Sequence, residues 1–441
     1  MGSGTAPPSG TRDFLPEDVR RREHVIGIIK RVYERYGYEP LETPAFENLD
    51  TLLGKYGDEG NKLIFKILRR GEHEASGQAD LALRYDLTVP LARVVAQHQA
   101  KLPRLFKRYQ IQPVWRADRP ARGRFREFYQ CDVDALGTTS PVVEAELCAA
   151  VSDAMVELGF NDFWIRLNHR QLLASMLNAV AIPEPLHGSA LVALDKADKI
   201  GIDGVKQELA DRGVEPASTG RLFTAIEAVR SGDRQAMAGF DEAGIAAWEN
   251  VGQILALTQG TRAEGRVRRD PSLARGLSYY TGAIMEVNVA DLAGSLGGGG
   301  RYDNLVGMFA GQQIAACGVS LGLERILVVM AERGMFPSSV ATSPADVMVA
   351  TFDAAGVRPA IRVAGDLRAA GLRVLVYPDP DKIGKQIKYA DGRGIPFVAL
   401  LGEDELRAGT VTVKDLKAQS QQTYQQSAAG AAILEALKRR G

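Results

Sequence analysis

The chain has 441 residues, too many for one ordinary domain, and this length points to two or three, each with a core of its own. Hydrophobic residues make up 45% and charged residues 24%, which excludes a disordered chain and a fibrous repeat. The 54 basic residues balance 54 acidic ones, so no global field draws nucleic acid, and any such contact must come from local patches.

Residues 1–10 are small and polar and read as a flexible N-terminus. They lack the apolar run of a signal peptide, and Ala6 stands where a myristoylation signal wants Ser or Thr. No stretch approaches the roughly 18 apolar residues that a membrane span needs, so a cytoplasmic protein without a membrane partner is expected. Cys131, Cys148 and Cys317 stand far apart, without the paired spacing of a disulfide framework or a zinc site.

Pro16, Glu17 and Asp18 open a helix, because proline suits a first turn and acids suit its positive end. Val25, Ile28, Ile29, Val32 and Tyr36 then share one face, which reads as core, and Gly37 ends the helix. Tyr38 to Phe46, broken by Pro40 and Pro44, reads as an extended edge segment. Leu102 to Asp134 reads as strand, charged turn and strand, a hairpin whose basic tip holds Arg119, Pro120, Arg122 and Gly123. Residues 170–260 carry helical periodicity and read as a helical insertion. Strands return near Ala283 to Val289 and Ile314 to Val319, and Gly322 to Met330 reads as an apolar helix. Residues 11–335 are thus expected to form an α+β unit, an antiparallel sheet flanked by helices. Pro337, Ser338, Ser339, Thr342, Ser343 and Pro344 mark a linker over 336–345. Beyond it, Val347 to Phe352, Arg373 to Tyr377 and Phe397 to Leu401 are short apolar strands alternating with helical stretches around Val363 to Ala370 and Lys382 to Ala390. That alternation predicts a small parallel sheet in an α/β domain over 346–441.

Lys101 to Arg126 holds nine Lys or Arg against one acid, Asp118. Such a density repels itself unless anions are near, and arginine's planar fork suits polyphosphate or an RNA backbone. A charge run is by default a solvated turn. Here Trp115, Phe125, Phe128 and Tyr129 are interleaved, and a base can stack on such rings while guanidinium groups hold its phosphates.

The stretch PVWRADRPARGRFREFYQCDVD, Pro113 to Asp134, resembles motif 2 of the class II aminoacyl-tRNA synthetases in the form found in histidyl-tRNA synthetases. The resemblance implies that Arg116 holds the ATP α-phosphate and the histidine carboxylate, Arg124 the far phosphate, and that Phe128 stacks on adenine. Asp118 stands where the class usually has glutamate and would lie on the adenine side. Arg275, Gly276, Leu277, Ser278, Tyr279 and Tyr280 resemble the first histidine-specific signature, with Ser278 in place of the family's aspartate. Its arginine would neutralise charge on the α-phosphate as the transition state forms, a task of positioning and charge stabilisation rather than acid or base chemistry. Arg275 and Arg116 are accordingly the expected catalytic residues.

Gly297 to Gly300, followed by Arg301, Tyr302 and Asp303, resembles the second signature. Four glycines let a backbone approach a ligand that side chains would block, although a glycine-rich turn is structural about as often. Gly322, Leu323, Glu324 and Arg325 resemble motif 3, in which Arg325 would pair with the γ-phosphate. Alone, an arginine opening a helix is a surface residue. By the same resemblance Asp86, Thr88 and Gln130 take the α-amino group of histidine, while Asp134 and Tyr280 bond its imidazole, with Arg116, Arg275 and Tyr279 completing the pocket. Taken singly, Asp86 reads as a helix cap and Asp134 as a turn residue.

Pro44 matches motif 1 of the class, which implies a homodimer. The last hundred residues resemble the class's anticodon-binding domain, above all Leu401 to Leu416, although 14 basic against 11 acidic residues from Ala345 onward would not by themselves name RNA. The implied activity is that of a histidine–tRNA ligase, with L-histidine, ATP carrying Mg2+ and tRNA(His) as substrates, and with no prosthetic group and no protein-held metal. The main alternative is a synthetase-like regulatory subunit of ATP phosphoribosyltransferase, a binder that typically lacks the anticodon-binding domain and several ATP-contacting arginines. A class II synthetase for another amino acid fits less well with the paired tyrosines after Arg275 and the glycines before Arg301.

Overall fold

The computed structural model describes residues 4–71, 76–274, 279–292, 294–337, 340 and 343–439. Its strands, in chain order, are β1 (Glu39–Pro40), β2 (Phe46–Asn48), β3 (Lys66–Leu68), β4 (Ala79–Leu83), β5 (Phe106–Trp115), β6 (Glu127–Leu136), β7 (Trp164–His169), β8 (Val267–Arg269), β9 (Ala283–Asn288), β10 (Gly297–Arg301), β11 (Ala316–Gly322), β12 (Val347–Thr351), β13 (Val374–Val376), β14 (Phe397–Leu401), β15 (Thr410–Asp415) and β16 (Ser420–Gln425). The chain divides into two compact units, Met1–Asp13 with Arg22–Met335, and Phe14–Arg21 with Phe336–Gly441. This departs from an unbroken 11–335 core: Phe14–Arg21 groups with the C-terminal residues, where the Arg21 guanidinium lies 5.1 Å from the Phe336 ring centre.

The larger unit is built on an eight-stranded sheet of order β1-β5-β6-β11-β10-β9-β7-β8. Its central pairs are antiparallel, and the two outermost pairs, β1 with β5 and β7 with β8, are parallel. A parallel pair needs a long crossover. Between β7 and β8 the helices from Arg170–Ala179 to Glu242–Leu257 supply it, and they bury a cluster of their own around Leu177, Leu194, Leu209, Leu222 and Ile226. The first helix, Pro16–Arg35, buries Val25, Ile28, Ile29 and Val32 as its periodicity requires. Tyr33 occupies the place expected for Tyr36, which stays half-buried with its hydroxyl on Asp153. The extended edge expected from Tyr38 to Phe46 shrinks to the two residues of β1. From Thr43 onward Arg84 takes the edge carbonyls instead, bonding Thr43 O and Pro44 O (3.0 Å) while its Nε donates to Pro113 O of β5 (2.8 Å).

The flexible start expected over residues 1–10 is corrected at its end. Ser9 and Gly10 accept hydrogen bonds from Arg126 at 3.3 and 2.8 Å, and Arg12 lies 3.5 Å over the Phe125 ring, so this segment is fastened to the basic hairpin. The smaller unit has a five-stranded sheet of order β13-β12-β14-β15-β16. Only β13, β12 and β14 run parallel, and β15 and β16 add an antiparallel hairpin that the expected wholly parallel sheet lacked. Its core packs Val347, Val349, Leu367, Phe397 and Leu401 with Ile433 of the last helix.

Candidate active site

The hairpin β5–β6 pairs over its full length, from Phe106 with Leu136 to Trp115 with Glu127. Side chains alternate along a strand, so Phe128, Gln130, Asp132 and Asp134 share one face of β6. All four line a cavity of about 370 Å³ that follows the strand for roughly 20 Å, six residues at about 3.4 Å each.

At the Asp134 end the cavity is acidic and buried. Asp132 and Asp134 are each 2% exposed and flank Arg108 of β5, whose Nη2 lies 2.8 Å from Asp134 Oδ2 and 3.7 Å from Asp132 Oδ2. The nearer contact is not aligned with an N–H, so Asp134 Oδ2 stays without a hydrogen bond and the attraction is coulombic. Asp134 Oδ1 accepts from the Tyr302 hydroxyl. Burial raises the pKa of both acids; Arg108 opposes that, and the mutual repulsion of the two carboxylates helps push Asp132 up to about 7. Asp86 stands just ahead of the helix Thr88–His98. It accepts from Val89 N at 3.1 Å, the Tyr56 hydroxyl at 2.9 Å and the Tyr279 hydroxyl at 3.1 Å. Burial raises its pKa against those bonds and the nearby Arg116 charge. Tyr279 packs edge-on against Tyr280 and Tyr302, and with Thr88 these rings wall the acidic end.

At the other end the walls are cationic and aromatic. Arg116 stacks on Tyr85 and Phe128 at 4.3 and 5.1 Å and donates through Nε to Tyr85 O. Arg124 pairs with Asp118 at 2.8 Å, and Arg325 bonds Gly123 O and Ser295 O. Phe125 completes this end.

The floor between the two ends is bare. Gly298 and Gly300 of β10 face Ser320 and Gly318 of β11 in register, and a Cβ on Gly318 would stand 1.9 Å from Asp134 Oδ1. The four glycines are a strand and not the turn expected of them. A Cβ on Gly299 would meet Gly318 O at 1.9 Å, and one on Gly300 would meet Ala283 O at 2.5 Å. Neighbouring strands, as well as any ligand, therefore exclude side chains here.

The structure thus gathers Asp86, Thr88, Arg116, Asp118, Arg124, Phe128, Gln130, Asp134, Tyr279, Tyr280 and Arg325 around one cleft, while Arg275 and Ser278 lie outside the described residues. The nine-cation run is less free than its density suggested. Lys107 bonds Glu146, Arg122 bonds Glu332 and Arg126 bonds Asp118 O. Of the four interleaved rings only Phe125 and Phe128 reach the cleft. Trp115 turns its indole N–H to Glu127, and Tyr129 packs under Arg22.

A family model described as "Histidyl-tRNA synthetase" matches residues 10–326, and one described as "Anticodon binding domain" matches residues 346–436. The chain belongs to the histidyl-tRNA synthetase family. Among curated relatives, a histidine–tRNA ligase of Gloeobacter violaceus is 40% identical over 97% of this chain and 98% of its own length. One of Porphyromonas gingivalis is 41% identical over 96% and 97%. The crystal structure of a histidyl-tRNA synthetase from Nostoc sp. matches with a TM-score of 0.82 at 30% identity, covering 99% of each chain. A structure from Bacillus halodurans, described as an ATP phosphoribosyltransferase regulatory subunit/histidyl-tRNA synthetase, matches with a TM-score of 0.73 at 21% identity, over 89% of this chain and 97% of that one, and so shares the fold.

Within this synthetase-family cleft, sequence reasoning overlooked Arg108, Asp132, Ser320 and the hydroxyls of Tyr56 and Tyr302. Asp132 carried a usable signal, since it alternates with Gln130 and Asp134 on a strand. Arg108 looked like one more cation of a basic run, and only the register that sets it opposite Asp134 explains its complete burial. Glu324 also lines the cleft, where it fastens Arg22 of the first helix at 2.8 Å and the backbone N–H of Tyr129 at 2.9 Å.

Proposed function

We propose that the chain is a histidine–tRNA ligase that charges tRNA(His) in two steps within this cleft. The carrying observation is that one cavity joins a buried acidic pocket to a wall of arginines and aromatic rings along a single strand. In the first step a carboxylate oxygen of histidine attacks the α-phosphorus of ATP, and the bond to pyrophosphate breaks. ATP enters as its Mg2+ complex. Arg116, stacked and held through Nε, keeps its terminal nitrogens for the α-phosphate and the histidine carboxylate. Phe128 offers a ring to adenine beside Asp118, Arg124 lies toward the far phosphates and Arg325 toward the γ-phosphate. Arg275 is assigned to transition-state charge by its place in the signature. In the second step the terminal ribose hydroxyl of tRNA attacks the acyl carbon, its proton departs, and AMP leaves.

Asp86, Thr88 and Gln130 are assigned to the α-amino group, and Asp134 and Tyr280 to the imidazole. A buried carboxylate left unpaired by a wrong side chain is costly, so such a pocket can reject other amino acids by roughly 10⁴ or more without editing. The smaller unit is assigned to the anticodon, and a homodimer is proposed from the motif 1 match. The regulatory-subunit reading is not favoured, because the chain matches the anticodon-binding model and lines its cleft with Arg116, Arg124 and Arg325. Exchange of labelled pyrophosphate into ATP tests the proposal. Histidine-dependent exchange is expected; its absence, or equal exchange with other amino acids, overturns it.

A further inference from the structure

The acidic end of the cleft contains more hydrogen-bond acceptors than the protein supplies donors for. Three buried oxygens there have no hydrogen-bond partner: Asp132 Oδ1, Asp134 Oδ2 and Gln130 Oε1. Buried polar atoms are seldom left unpaired, and a cluster of orphans facing one cavity outlines the missing ligand's donors. Gln130 Oε1 and the already satisfied Asp86 suit an ammonium group. The remaining two orphans are carboxylate oxygens on residues two apart on one face of β6, with Cα atoms about 6.8 Å apart. A five-membered ring that turns a nitrogen toward each of them can bond both oxygens at about 2.9 Å.

A neutral imidazole has one N–H and one bare nitrogen, so it satisfies one ionised acceptor and presents a lone pair to the other. Two carboxylates with Arg108 between them also leave one uncompensated negative charge, in a place where unpaired charge is expensive. We infer that Asp132 is a specificity-determining residue and that histidine is held with one additional proton shared between Asp132 and the imidazole, the ring otherwise bonding Asp134. This rests on the proposed function and adds to it the protonation state of the substrate. Because an imidazole has only two nitrogens, Asp132 here takes the ring bond assigned above to Tyr280, whose ring still walls this end of the cleft.

The charged and titratable groups facing the pair are Arg108 from β5, Asp86 ahead of the helix Thr88–His98, Tyr302 after β10 and Cys317 of β11, with Cys131, Tyr33, Tyr38 and Arg84 at longer range. Burial keeps the tyrosines and both cysteines protonated, so they do not titrate in the range concerned. Free imidazole has an ordinary pKa of about 6.5, and Asp132 in the empty cleft is pushed up to about 7. The two free partners together carry one proton between these values, two below them and none above. Forming the complex should therefore take up protons at high pH and release them at low pH.

Titration calorimetry of the full chain with L-histidine, repeated in buffers of different ionisation enthalpy, reads that proton count directly. Near pH 8, uptake of about 0.9 proton per histidine is expected, with a change of sign between about pH 6.5 and 7 and up to tenfold weaker binding per pH unit above it. The neutral isostere Asp132→Asn should bind histidine at least tenfold more weakly at neutral pH and should lose the uptake at pH 8. Histidine binding without proton uptake in the unmodified protein overturns this inference alone, as does an Asp132→Asn variant with unchanged uptake. Failure to bind histidine at any pH overturns the ligase reading and this inference with it.

Discussion

Tyr302 donates a hydrogen bond from its hydroxyl to Asp134 Oδ1 and so decides which oxygen of that carboxylate is left for a ligand. Tyr302→Phe keeps the ring and removes the bond. We expect KM for histidine in pyrophosphate exchange to rise about tenfold, the equivalent of about 1.4 kcal/mol, with kcat changed less. An equal fall in kcat would show that Tyr302 acts on the transition state instead. Asp132 makes a second prediction, about stability. Its folded pKa of about 7 lies above the ordinary 3.8, so the folded chain holds this proton more tightly than the unfolded one. The resulting stabilisation is complete below pH 3.8 and is lost as pH rises through about 7. The melting temperature of the ligand-free chain should therefore fall between about pH 5.5 and pH 8, and fall less in Asp132→Asn. Equal slopes in a thermal-shift series would contradict this. At this scale the motifs named residues that meet in one cleft, apart from Arg275 and Ser278, which lie outside the described residues. Asp86 shows how two readings can both hold, since it accepts from Val89 N as a cap would and also lines the cleft. Arg108 and Asp132 were illegible as a pair, because their meaning lies in the register between two strands.

Elements were easier to read where one face is buried. The first helix stands where its periodicity puts it, since burial of one face imposes the pattern, and β14, buried on both faces, stands where its continuous apolar run does. The β15–β16 hairpin was missed because β16, Ser420–Gln425, is polar and largely exposed, leaving no alternation to detect. The glycines of β10 were read as a turn because local propensity favours it, whereas pairing to strands on both sides makes them a strand. That packing is tight enough to test. Gly318→Ala places a methyl group against Asp134 Oδ1 and Val133 O, so the acid must leave its place beside Tyr302 and Arg108. We expect a loss of about 1–3 kcal/mol in urea unfolding and a rise of tenfold or more in KM for histidine. Unchanged histidine kinetics would mean that Asp134 can move aside without cost.

For the molecule as a whole, composition predicted little beyond the presence of more than one core, and that much is seen in the separate clusters of the two units. The balanced charge concealed a cleft with sharply opposed ends, because opposite signs cancel in a sum although they are segregated in space. Among the described residues no helix is long and apolar enough to cross a membrane. The proposed homodimer has a simple measure. Sedimentation equilibrium at micromolar concentration should return twice the 47.7 kDa chain mass, and a single chain mass would remove the motif 1 argument.

The bare floor of the cleft has a cost that extends through the sheet. Each glycine in a strand forfeits about 0.5–1 kcal/mol and brings no side chain to brace its neighbours. When the cleft is empty, β10 and β11 are therefore braced by fewer side chains than a strand without glycines would be, although they lie in the middle of the largest sheet. A bound reaction intermediate would act as the absent side chains. Deuterium should enter the amides of β10 and β11 quickly in the empty enzyme and markedly more slowly in the loaded one, so that turnover alternately loosens and stiffens the centre of the molecule.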